Sequence, residues 1–355
     1  MRIVSLVPSA TETLCLLGAG RWIVGRSHEC DWPESVLDRP VLTAARTRFD
    51  TSAGVDAQVR AALAAGGEGG LPGGNHGGGQ SLYRLDEAGL VGLGPDLIVT
   101  QELCGVCSVD IGTVRRAVGP SAAGSGAAPE VVSLNPQTVE GVLDDVVLLG
   151  RALDAAAGRA GSAAAAVDWQ GRAAGAVAAM RERLARAADH VNAYEQGPVV
   201  AFLEWTDPVY VGGHWTPQLI ERAGGAHPLN PTTPAPGAGA GAGPIGQSMR
   251  RAGPSVRVPA AAVVAAQPEH LIVCPCGLSL GAAWAEVAAL SREPWFAGLP
   301  AARRGRVAVV DGNMYFSRPG PRIVDAFEWL VGWLQGRPEL VPAGFAWRAW
   351  GGVGA

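Results

Sequence analysis

Ile3-Val4-Ser5-Leu6-Val7-Pro8-Ser9-Ala10-Thr11-Glu12 opens the chain, and this stretch decides the fold. A short β-branched run meets a proline and a serine, then turns polar at helical spacing, which predicts a buried strand feeding straight into a helix. Ser9 and Glu12 have the spacing of a capping box, with serine as N-cap and glutamate at N3. Gly18 or Gly20 ends that helix. Working outward, the unit repeats. Residues 22–26 read as a second strand, 96–100 (after Pro95) as a third and 131–134 as a fourth. Strands alternating with helices predict an α/β fold with a mostly parallel sheet covered by helices on both faces.

Asn135-Pro136 then reads as the cap and first residue of a long helical stretch. Val139, Val142, Leu143, Val146, Leu149 and Leu153 recur at helical spacing, and the pattern runs on through Val177, Met180 and Leu184 with a break at 158–162. Strands return at 199–203, 270–273 and 307–310, with helices at 217–223 and 323–334. The organisation expected is an N-terminal α/β lobe over 1–135, a connecting helical region over 136–197, a C-terminal α/β lobe over 198–340 and a tail over 341–355. A glycine-rich stretch at 64–79 and a Pro/Gly/Ala-rich stretch at 230–259 read as surface insertions. His76 and His227, in or beside them, are expected to be solvated.

The 355 residues suffice for two domains, and 48% hydrophobic against 17% charged residues describes a globular chain rather than a disordered one. A formal net charge of −4 argues against a nucleic-acid binder, which carries a basic face. No apolar run is long enough to span a bilayer. Because the first strand follows Met1-Arg2 with no basic-then-apolar leader before it, a cytoplasmic protein is expected.

Several segments together resemble the vitamin B12/iron-siderophore class of periplasmic-binding-protein-like substrate binders. They are residues 3–12, Pro95-Asp96-Leu97-Ile98-Val99, Val132-Ser133-Leu134-Asn135-Pro136, residues 200–205 followed by Gly212-Gly213, and Trp295-Phe296-Ala297-Gly298-Leu299-Pro300 with residues 307–311. The resemblance covers nearly the whole chain apart from the two insertions. It implies two Rossmann-like lobes joined by a long backbone helix, with the ligand in the cleft between lobes. It also implies a soluble binder of a corrinoid such as cobalamin, another tetrapyrrole, a siderophore or a metal-bearing ligand. Members of the class deliver such cargo to ABC importers, a partner that a cytoplasmic chain would not meet from outside.

Ligands of open α/β sheets settle on the loops after the carboxyl ends of strands. On those loops the candidate ligand-binding residues are Pro8, Ser9, Trp32, Trp205, Tyr210, His214, Trp215 and Arg318. Flat indole and phenol faces suit a macrocycle, although tryptophans serve equally as core residues. His214 can offer an imidazole to cobalt or iron, or be an ordinary polar loop residue. Arg318 can pair with a carboxylate or phosphate of the ligand, or cap the last helix. Cys30, Cys104, Cys107 and Cys276 sit on three such loops and form a candidate four-thiolate shell for zinc or an iron–sulfur cluster. Cytosolic relatives of the class look similar in their His-Glu-Cys-Asp, Cys-x-x-Cys and Pro-Cys-Gly segments. A redox-active Cys104/Cys107 pair and unconnected thiols are the alternatives. No phosphate-loop ending and no Gly-x-Ser-x-Gly elbow is present, so the sequence offers no familiar catalytic motif.

Overall fold

The opening stretch folds as read, with one correction at the helix start. In the computed structural model, which describes residues 1–49, 51–64, 82–102, 109, 111–119, 128–192, 197–235 and 250–351, strand β1 (Ile3–Ser5) leads into helix α1 (Pro8–Leu16). Val7, in extended conformation, is the N-cap and Pro8 occupies the first turn. Ser9 and Glu12 are therefore inside the helix, both almost fully buried, and the expected capping box does not form. Proline at N1 sets the boundary because it needs no hydrogen-bond acceptor and its fixed φ is already helical.

The chain divides into two units. The first comprises 1–50, 57–136 and 141–180, and the second 51–56, 137–140 and 181–355. In the first, β1 is joined by β2 (Ile23–Arg26), β5 (Leu97–Gln101) and β6 (Glu130–Leu134) in the order β2-β1-β5-β6, and every pairing is parallel. β5 is buried at all five positions, as a strand covered on both faces should be. A separate antiparallel ribbon pairs β3 (Thr43–Ala45) with β4 (Tyr83–Leu85), an element that the sequence reading did not give. Helices α2 (Ser52–Ala64), α3 (Glu87–Gly92) and α4 (Ile111–Ala117) follow along the chain. Val4, Leu6, Leu42, Leu90, Ile98 and Val114 make one core of this unit.

The long helical stretch is two helices, α5 (Val139–Ala160) and α6 (Trp169–Ala188), with the break at 161–168, later than the 158–162 expected. They pack closely at Gly150, where a Cβ would lie 2.6 Å from that of Ala173. Asn135 is not the helix cap. Its Oδ1 instead accepts the Glu102 N–H at 2.7 Å, and the Val139 N–H that begins α5 donates to Gln218 Oε1.

In the second unit a six-stranded mixed sheet has the order β11-β8-β7-β12-β13-β14. Its strands are β7 (Val200–Thr206), β8 (Val209–Val211), β11 (Val256–Arg257), β12 (His270–Val273), β13 (Val307–Val310) and β14 (Trp347–Trp350). Only β7, β12 and β13 run parallel to one another. A two-stranded pair, β9 (Thr233–Pro234) with β10 (Arg250–Arg251), stands apart from it. Helices α7 (Trp215–Arg222), α8 (Ala260–Ala266), α9 (Leu280–Leu290), α10 (Pro294–Ala297), α11 (Pro300–Arg303) and α12 (Ile323–Leu334) complete the unit.

Three expectations change here. The flanks of the 230–259 insertion are strands, held by Arg250 donating to Thr232 Oγ1 and to the Thr232 carbonyl. The tail is an edge strand, its Trp347 and Trp350 paired with Val310 and Val307. His227 is buried rather than solvated, its Nδ1 2.8 Å from the Val200 carbonyl, while His76 lies outside the described residues.

Candidate functional site

The second unit's site begins with an irregularity in β7. Leu203 pairs with Val211 but Trp205 pairs with Tyr210, so the register slips at Glu204. Side chains alternate along β8, and Val209 and Val211 both belong to the core. Tyr210 and its partner Trp205 therefore stand on the opposite face as a cross-strand pair, both half-buried. A bulge of this kind re-aims a side chain without ending the strand. The Trp205 indole N–H donates to the Ser52 carbonyl at 3.1 Å, which fixes the ring's orientation.

Glu204, the slipped residue, was not singled out from the sequence. Ser255 Oγ donates to its Oε2 at 2.7 Å. Burial pushes its pKa up, while hydrogen bonds from Ser255 and the Gly213 backbone pull the other way. Gly213 is required where it is, since a Cβ there would strike the backbone of Pro254 and Ser255. A carboxylate inside the apolar run 199–205 was the available signal. The neighbouring strand ends carry Cys274, Cys276 and Asp311. Cys274 is fully buried with its Sγ 3.7 Å from the Asp311 carbonyl, and desolvation raises its pKa well above the ordinary thiol range. Cys276 is half-buried.

His214 precedes α7 with φ +53° and ψ −114°, a conformation that non-glycine residues rarely adopt. Its ring stacks on Trp215 with centroids 5.7 Å apart, and its Nδ1 is buried without a hydrogen-bond partner. Burial lowers its pKa, which favours the neutral imidazole, the form able to ligate a metal. Trp215 is buried, and its indole N–H donates to the Phe316 carbonyl at 2.8 Å, so it anchors the loop after β13 from within the core. Arg318, in that same loop, is 6% exposed.

In the first unit the corresponding loops follow β1 and β2. Pro8 is half-buried and Ser9 buried at the start of α1, whereas Trp32 is 41% exposed. The loop carrying Trp32 is held by a polar network. Thr43 Oγ1 sits 2.7 Å from His28 Nδ1 and 2.9 Å from Ser27 Oγ, and accepts the His28 N–H. The Tyr83 hydroxyl donates to Glu29 Oε1 at 2.9 Å. Thus the ribbon β3–β4 braces the loop. Burial lowers the His28 pKa, with Arg26 acting in the same direction and Glu29 against it. Cys30 is fully buried, accepting from Thr11 Oγ1 at 3.0 Å.

Of the four cysteines expected to share a metal, Cys104 and Cys107 lie outside the described residues. Cys30 belongs to the first unit and Cys276 to the second. Among the described residues no three His, Cys, Asp or Glu side chains are grouped to hold an ion, so the zinc or iron–sulfur alternative draws no support from them. No helix among the described residues is long and apolar enough to cross a membrane.

No protein-family model and no curated protein matches this sequence. Solved structures do. The chain is similar to the periplasmic heme-binding protein RhuT of Roseiflexus sp. RS-1 with a TM-score of 0.61 at 22% identity, over 95% of this chain and 98% of that one. The fold is that of the periplasmic heme- and vitamin B12-binding proteins. A periplasmic heme-binding protein of Pseudomonas aeruginosa matches with a TM-score of 0.59 at 20% identity, covering 94% of this chain and 92% of its own. The periplasmic vitamin B12-binding protein BtuF of Vibrio cholerae matches at 0.56 and 17%, covering 95% and 98%. This comparison bears out the resemblance read from the sequence, and it overturns the cytoplasmic location expected there. The three solved proteins named here are periplasmic.

Proposed function

We propose that this chain is a carrier-type binding protein for a metal-bearing small ligand, namely a corrinoid, another tetrapyrrole or a siderophore complex. The observation that carries this reading is the fold match over 94–95% of the chain to proteins named for binding heme and vitamin B12. The residues fit such a ligand. In the second unit Trp205 and Tyr210 offer ring faces at the end of β7, and His214 offers a neutral imidazole. In the first unit Trp32 offers an exposed indole on a braced loop, and Pro8 and Ser9 open α1 after β1. Aromatic faces bind planar macrocycles through area and dispersion, and the few polar groups set orientation. Arg318 and Trp215 are buried, and Trp215 anchors the loop after β13 that carries Arg318. With the cytoplasmic expectation removed, the ABC importer implied by the resemblance is the partner this reading carries.

A thermal-shift panel of hemin, cyanocobalamin and a ferric siderophore tests the proposal. One of them, at about a hundred times its Kd, should stabilise the protein by about 2.7 kcal/mol. Unchanged melting with all three would remove the reading.

A further inference from the structure

Apart from the strand-end loops, the second unit contains a cleft of about 650 Å³ at the tip of the β7–β8 hairpin, bounded by β11 and the carboxyl end of α9. That volume lies within the usual range for small-molecule sites, about 300–1,000 Å³. Its charged lining is one-sided. Asp207, Glu286 and Glu293 contribute three carboxylates against the single guanidinium of Arg257. The half-buried indole of Trp295 and the buried side chain of Leu290 supply apolar surface.

One of these carboxylates is held in place by two neighbouring hydroxyls. The hydroxyls of Ser52 and Thr206 both hydrogen-bond to Glu286 Oε2, and neither engages Oε1. Ser52 and Thr206 are 2% and 3% exposed and lie 2.8 Å from each other. Glu286 is therefore positioned by two buried donors instead of swinging freely on the helix surface. A positioned carboxylate in a cleft that an indole also lines, with two more carboxylates exposed on the same lining, matches a cation with an apolar body. The carboxylates attract the charge, while an indole face holds a cation better than any other aromatic ring. An anion of the same size would meet three like charges and one partner.

We infer that this cleft is a second binding site, specific for an organic cation bearing an aromatic or bulky apolar group. The probe is phenyltrimethylammonium, compared with benzenesulfonate as an anion of similar bulk, by calorimetric titration and by following the Trp295 indole resonance. The cation should bind and shift that resonance, and the sulfonate should not. Asp207, Arg257 and Glu293 are exposed, so their substitution leaves the fold intact. Glu293→Gln and Asp207→Asn should each weaken the cation by about fivefold, the effect of one charge near a protein surface. Arg257→Gln should tighten it. Saturating hemin should leave the cation in place, which separates this site from the ligand surface proposed above. Equal binding of benzenesulfonate, an unchanged affinity in Glu293→Gln, a weakening in Arg257→Gln or displacement by hemin would each overturn the inference.

Discussion

The two units solve the same problem with different chemistry. Each must hold irregular loops rigid at the carboxyl ends of its strands. The first does so with hydroxyls and a histidine: Thr43 hydrogen-bonds to Ser27 and His28, and the Tyr83 hydroxyl donates to Glu29. The second does so with stacked rings. Tyr315, in the loop after β13, lies on Phe345 with centroids 3.9 Å apart, and Phe316 packs against Phe202 and Trp329. Trp329 in turn stacks on Phe345 and Trp333 at interplanar angles of 8° and 12°. A polar network fixes geometry atom by atom and leaves an orphaned partner when one member is lost. An aromatic stack holds by area, so it tolerates replacement of like by like and collapses only when volume is removed.

The sharpest way to break this contrast is Trp329→Ala. The fully buried indole is the centre of the stack, and its removal should cost the second unit about 3–5 kcal/mol in denaturant unfolding. Trp329→Phe should cost far less, because the new ring still stacks. A large loss in Trp329→Phe would show that the stack is as exacting as the polar network. Next in size is Thr43→Val, which keeps shape but strands Ser27 and His28. It should cost the first unit about 1–3 kcal/mol and loosen the loop carrying Trp32, visible as faster amide exchange at His28 and Glu29.

A smaller effect appears in acid. Burial, together with Arg306 and Arg304, depresses His270 from the usual imidazole value of 6.5 to about 4, with Glu269 opposing. Its ring packs edge-on to Trp333. Between those values the unfolded chain binds a proton that the folded chain does not, so stability present above about pH 6.5 is lost progressively as pH falls toward 4. His270→Gln should flatten that part of the stability profile. A slope in the variant as steep as in the parent would assign the acid sensitivity elsewhere. The mildest contrast is among thiols. At pH 8 Cys276 should be alkylated in the folded protein, whereas Cys30 and Cys274 should resist until unfolding because both are fully buried. Rapid labelling of Cys30 would contradict the packing described for it.

Much of this was legible in the sequence where one physical signal dominated. The strands at 270–273 and 307–310 and the helix at 323–334 have the expected bounds, since unbroken apolar runs and helical periodicity left no competing reading. The ribbon β3–β4 was not legible. Its two strands have three residues each and are separated by more than thirty positions, so neither carries a pattern without the other. The same holds for β11, whose two exposed residues become a strand only because β8 offers an edge. At the site, the aromatic residues announced themselves but their burial did not. Trp215 and Trp205 look alike in sequence, yet one is sealed in the core and the other is turned out by the slip at Glu204. A bulge is set by the neighbouring strand, and no local spacing records it.

The proposed function rests on that slip, by which Trp205 and Tyr210 would present their rings to a planar ligand. The most direct test is titration of intrinsic tryptophan fluorescence with hemin and cyanocobalamin in the parent protein and in Trp205→Phe. Saturable quenching by at least one of them is expected, with a clear share of the quenched signal absent in the variant at nearly unchanged stability. Quenching that never saturates, or that is identical in both proteins, would contradict it.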